Sequence, residues 1–134
     1  MDKPKPIVLS MIICDTVLDD RATNKKTLVG LFSNIWASSC PCVHPRLNVF
    51  ITLTDGRGSY QGSLKCVNED TNTEILRLEG PIIFQSGEHI IELNFELVNV
   101  RFPAFGSYHF EFWCDGDILI TRRFAVTQQE SVGR

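Results

Sequence analysis

Gly106-Ser107-Tyr108-His109-Phe110-Glu111-Phe112-Trp113-Cys114-Asp115-Gly116-Asp117-Ile118-Leu119-Ile120-Thr121-Arg122-Arg123-Phe124-Ala125-Val126 is the stretch that decides the fold class. Tyr108, Phe110 and Phe112 alternate with His109, Glu111 and Trp113. That period of two sends one row of side chains to a buried face and the other to solvent. Asp115-Gly116 is a strong hairpin signal. Ile118, Ile120, Arg122, Phe124 and Val126 then line one face of a return strand.

The same pattern extends back along the chain. Ile7 to Leu18 reads as a first strand, almost continuously apolar, as a strand covered on both faces would be. Asp19 to Lys26 is a turn with Asn24 as its left-handed residue. Thr27 to Ala37 is a second strand, with Gly30 as a bulge or close contact, and Ser38 to Arg46 is a loop carrying Pro41 and Pro45. Leu47 to Thr54 alternates cleanly. After the Asp55-Gly56-Arg57-Gly58 turn, Tyr60 to Asn68 and Glu74 to Phe84 follow, with Pro81 splitting the latter or marking an edge. Glu88 to Val100 fits a helix with one violation, Asn94, and a strand with none, so a strand is expected.

Composition agrees. Val, Ile, Thr, Phe, Tyr and Trp together number 44 against four alanines. These stiff side chains suit a pleated surface and lose rotamer freedom in a helix. The expected fold is all-β: a two-sheet antiparallel β-sandwich, immunoglobulin-like in architecture, with about eight strands. Residues 1–134 form one domain of ordinary size, with residues 1–6 and 128–134 as flexible tails. Tyr108 is expected as a corner anchor, its ring between the sheets and its hydroxyl on upstream backbone.

Cys14-Asp15 at the end of the first strand, Leu28-Val29-Gly30-Leu31-Phe32, His44-Pro45-Arg46-Leu47, and Phe102-Pro103-Ala104-Phe105-Gly106-Ser107-Tyr108 leading to Asp115-Gly116 carry a likeness by their order and spacing. From Val8 to Val126 the chain resembles a family of small bacterial proteins of unknown function. The resemblance implies a compact bacterial β domain and leaves the function open. Asn24 stands where glycine is the more usual residue, and asparagine tolerates the same left-handed backbone.

The five cysteines are Cys14, Cys40, Cys42, Cys66 and Cys114. An odd number cannot pair fully within one chain. Cys14, Cys66 and Cys114 lie in strand-like runs and read as small buried hydrophobes. Free thiols point to a reducing compartment, the cytoplasm. Ile7 to Cys14 is too short and too bulky before its cysteine for a signal peptide, and Pro4 and Pro6 break the basic segment before it. A net charge of −3 argues against nucleic acid and anionic membrane. No apolar run reaches the ~18 residues of a membrane span.

Cys40-Pro41-Cys42-Val43-His44 is the sharpest chemical cluster. It holds zinc ligand types at a C-x-C-x-H spacing, tighter than structural zinc sites use. A fourth ligand would have to come from His89, His109 or a distant cysteine. A loop with incidental thiols is the simpler account, and a redox-active pair is the other alternative. Asp15, Asp19, Asp20 and Asn24 gather oxygens at one turn without the EF-hand pattern. Glu92 and Glu96 stand ~13 Å apart along a strand, too far for a glycosidase pair. There is no G-x-S-x-G, no Walker loop and no G-x-G-x-x-G, and Gly56-Arg57-Gly58 is a turn with no helix after it. Trp36 and Trp113 are the only candidates for a sugar-stacking platform.

The expected function is therefore a non-catalytic protein-interaction or structural module, with no catalytic, cofactor-binding or metal-binding residue assigned and no cofactor. Its partner is a protein or a second copy, in a homodimer that covers a sheet edge or face. The first strand, undefended by charge, is either central or such an edge. The alternatives are a small metal- or thiol-dependent enzyme using the Cys40–His44 loop and a carbohydrate-binding module.

Overall fold

The computed structural model describes residues 3–130. The alternating segments form nine strands: β1 (Ile7–Asp20), β2 (Lys25–Leu31), β3 (Asn34–Ala37), β4 (Cys42–Thr54), β5 (Gly58–Asn68), β6 (Thr73–Phe84), β7 (Ile91–Phe102), β8 (Gly106–Cys114) and β9 (Asp117–Gln128). They make two sheets, ordered β2-β1-β4-β7 and β3-β9-β8-β5-β6. Among the described residues there is no helix, and none long and apolar enough to cross a membrane. Glu88 to Val100 is extended, with its strand beginning at Ile91.

The inward rows meet as the alternation requires. Leu47, Val49, Ile51 and Leu53 of β4 face the gap between the sheets, as do Tyr108, Phe110 and Phe112 of β8, all without exposed surface. Phe124 stacks on Phe110 and Tyr108, with ring centres 5.1 and 5.6 Å away. Phe102 closes the cluster edge-on, 5.2 Å from Tyr108 and 5.7 Å from Phe124. The Tyr108 hydroxyl donates to the Ala104 carbonyl at 2.6 Å and accepts from the Ala104 amide at 3.3 Å. Tyr108 is thus the corner anchor the sequence predicts. Tyr108→Phe should cost about 1 kcal/mol in urea unfolding, the worth of a buried hydrogen bond. An unchanged midpoint would place that hydroxyl in water.

Three features differ from the sequence expectation. The segment Thr27 to Ala37 is two strands, so the total is nine. At Phe32-Ser33 the chain passes between sheets: the Phe32 amide donates to Ile13 in the first, and the Ser33 carbonyl accepts from Ala125 in the second. That crossing also makes β3 run parallel to β9, the one departure from antiparallel pairing. Thirdly, Cys42 to Arg46 belongs to β4 rather than to a loop. Pro45 is tolerated there because β4 pairs with β1 only from Asn48 onward, leaving one side of the proline free of a ladder. Pro81 stands on β6, an outermost strand, where its missing N–H is harmless.

β1 occupies an interior place and changes partner midway. Ile7 to Cys14 pairs with β4, and Cys14 to Asp20 pairs with β2. Lys26, opposite Asp19, also reaches Glu92 at 3.5 Å. Glu92 lies beside Thr52, which pairs with Ser10. An extended chain would carry Asp19 ~30 Å from Ser10, so the β1–β2 hairpin must turn back across the outer face of its own sheet. Outward-facing Asn48 and Phe50 are accordingly only 2% and 6% exposed. The Asn48 amide donates to the Asp15 carbonyl at the bend. Gly30 has φ 73, and a Cβ there would collide with the Asp15 carboxylate.

The chain ends depart from free tails where they are described. Pro6 is buried, and the Pro4 carbonyl accepts the Tyr60 hydroxyl at 2.7 Å. Lys3 and Lys5 pair with Asp115 and Asp117, which draws the segment along the β8–β9 turn. Gln128 closes β9, and the Gln129 amide donates to Ala37. The rest of the expected tails, residues 1–2 and 131–134, lies outside the described residues.

Candidate functional site

Residues Cys40 to His44 lie where β3 gives way to β4. Cys42 opens β4 opposite Phe102, and Cys40 precedes it across a cis Pro41. The two thiols touch, with Sγ atoms 3.9 Å apart, and both are half-buried against the core. Burial pushes the Cys42 thiol up, and so does its bond to Cys40. His44 turns to the Phe32 ring, with centres 5.8 Å apart. Its Nε2 is buried without a hydrogen-bond partner. Burial pulls its pKa below the ordinary value despite the carboxylate of Asp15, so the ring is neutral. Among the described residues, no three or more His, Cys, Asp or Glu side chains are placed to hold a metal ion.

The other cysteines lie deeper. Cys66 and Cys114 are inside the core and Cys14 has no exposed surface. Desolvation drives the Cys66 thiol far above its usual range and Cys114 to about 11. These are packing residues, as their strand positions predict.

His89 sits in the β6–β7 turn, held by Ser86, while His109 stands on the outer face of the second sheet. The Asp19-Asp20 turn is closed by its own groups: Asp20 accepts from the Ala22 amide, and Asp19 pairs with Lys26. Glu92 and Glu96 pair with Lys26 and Arg46 on an outer sheet face. Arg57 donates its amide to the Tyr60 hydroxyl, which closes that turn. Trp36 and Trp113 do not share a platform. Trp36 pairs with Thr127 and Trp113 with Ile118, which puts them ~30 Å apart along β9.

The structure assembles one network that the sequence does not reveal. On the outer face of the second sheet, His109 Nδ1 meets Glu69 and Nε2 meets Glu111, each at 2.8 Å. Ionised carboxylates only accept, so the protonated ring can donate to both at once, whereas a neutral ring can donate to one. Trp113 Nε1 donates to the other Glu111 oxygen, Lys65 lies over the Trp113 ring at 4.2 Å, and Arg123 pairs with Glu69. The alternation of His109, Glu111 and Trp113 places them on one face. Only the strand pairing of Lys65 with Glu111 and of Arg123 with His109 brings in the rest.

Burial works against the charge on His109, but its bonds to Glu111 and Glu69 outweigh it and hold the pKa above the ordinary value. Glu69 is pulled down chiefly by its bond from His109. For Glu111, burial pushes up while the bonds from His109 and Trp113 pull it below its usual range. A histidine raised in the folded state stabilises fully below the unfolded value of about 6.5, and that contribution is lost as pH rises through the folded pKa. Melting temperatures of wild type and His109→Gln should therefore differ most near about pH 6 and converge above the folded value. A gap that stays constant with pH would mean a neutral ring.

No curated protein matches the chain. A family model does, over residues 9–127, nearly all of the sandwich from β1 to β9. That family model carries no assigned activity. By that match the chain belongs to the family described as Family of unknown function (DUF6941).

Proposed function

We propose that the protein is a non-catalytic interaction module that pairs with a second copy of itself along one side of the sandwich. The observation that carries this reading is the groove between β6 and β7. These are the outermost strands of the two sheets on that side. Between them lies a groove of about 330 Å³ with a mixed lining: Ile75, Leu76 and Leu78 of β6, and Leu97, Val98 and Val100 of β7 together with the polar Glu96, Asn99 and Arg101. Val98 is 58% exposed at its lip. Backbone groups along such edges need a partner or a guard.

The rim favours a copy of the same chain. Glu96 and Arg101 flank Val98 and Asn99 on β7, and Arg101 makes no ion pair among the described residues. A two-fold axis through Val98 and Asn99 sets Glu96 of each chain against Arg101 of the other and Val98 of each against Asn99 of the other. β1 differs from β7 in register: its open half shifts between Val8 and Ser10, whereas β7 keeps one register along β4, with Asn99 at φ 53 as its own local irregularity. The five free thiols suit a reducing compartment, so the module is read as cytoplasmic, and as bacterial from the resemblance above.

Light scattering should give close to twice the 15.2 kDa chain mass. Val98→Lys, at an exposed position that leaves the fold alone, should shift the protein to monomer. A wild type that stays monomeric at high concentration would refute self-pairing.

A further inference from the structure

We propose that Cys40 and Cys42 form a reversible dithiol–disulfide site whose reaction partner is a low-molecular-weight disulfide. The two thiols are already in contact at 3.9 Å, at the point where the chain enters β4. Both are half-buried, which makes them the two least buried of the five thiols. Cys14, Cys66 and Cys114 are buried and serve as an internal control in the same molecule. The proposal is independent of self-pairing.

The exchange balances without any further oxidant. One of the two thiols loses its proton to water, and the thiolate attacks a sulfur of the small disulfide. The S–S bond of the reagent breaks and one small thiolate leaves, giving a mixed disulfide on the protein. The second cysteine, deprotonated in turn, attacks the protein sulfur of that mixed disulfide and expels the other small thiolate. The protein has lost two protons and two electrons, and the reagent, once its two thiolates take up protons from water, has gained them as two thiols. The short C-x-C loop closes under strain, which keeps the bond open to reduction by the reverse steps.

The test incubates the folded full chain with glutathione disulfide, quenches with acid and reads masses. The wild type should lose two hydrogen masses, on the peptide carrying residues 40–42, and recover them with dithiothreitol. Cys42→Ser and Cys40→Ser should each stop at one bound glutathione. Native protein should show two thiols reactive to a thiol reagent, and denatured protein all five. A wild type that ends as a glutathione adduct, that links any other cysteine pair, or that fails to react while the denatured chain reacts would overturn the proposal.

Discussion

Phe102→Ala should destabilise the protein by about 3–5 kcal/mol, the range for emptying a sealed aromatic position. Phe102 ends β7 and is wholly buried. It meets Tyr108 at 72° and Phe124 at 73°, edge-on to both. Those two rings stack on each other, and Phe124 also stacks on Phe110. Truncation therefore removes the partner of two aromatic edges at once. The rings come from β7, β8 and β9 of both sheets, so neither sheet can close the gap by moving alone. Urea unfolding measures the loss, with an unchanged slope showing that the same surface is exposed. A cost below about 1 kcal/mol would mean that the cluster collapses freely, and the tight core described above would be wrong.

The second large effect concerns a residue with no side chain. Gly56→Ala should cost about 1–3 kcal/mol, as overpacking does. A Cβ at Gly56 overlaps the Phe84 ring. That ring is 4% exposed and stands edge-on to Tyr60 at 5.7 Å, so it cannot swing aside. The Tyr60 hydroxyl is in turn held by the Arg57 amide and the Pro4 carbonyl. Gly58 provides the contrast: it has φ 74, and a Cβ there meets open space. Gly58→Ala should therefore cost only the left-handed backbone penalty, about 1–2 kcal/mol. Adding Phe84→Leu to Gly56→Ala should recover part of its loss and should recover none of the loss at Gly58. Thermal unfolding of the four variants reads this, and a neutral Gly56→Ala would remove the wedge from the account.

Much of this architecture is legible in the residues, and what is not has a physical reason. Tyr108, Phe110 and Phe112 reveal their strand because one face is core and the other is wet. Asp115-Gly116 reveals its hairpin because both residues adopt positive φ, 48° and 85°. Asn24, at φ 59, does the same for the first hairpin. The crossing at Phe32-Ser33 leaves no such mark. Both sides of it are apolar and extended, and which sheet each side joins depends on Ile13 and Ala125, far away in sequence. Cys42 to Arg46 looks like a loop because Pro41 precedes it and Pro45 lies within it, yet a strand bounded by a free edge accommodates Pro45. The His109 clamp is legible only as a row on one face. Its partners Glu69, Lys65 and Arg123 arrive by strand register, which no local pattern encodes.

Self-pairing through β7 is tested most directly by amide hydrogen exchange of the wild-type protein at two concentrations, well below and well above the onset of the doubled mass. Exchange reads each strand separately, so it distinguishes one edge from another. Pairing predicts that amides of Ile91–Phe102 and Thr73–Phe84 exchange more slowly at the higher concentration. Those of Ile7 to Ile12 and of Lys25–Leu31 should exchange equally at both. Slowing confined to β1 or β2, or no dependence on concentration in any strand, would contradict it.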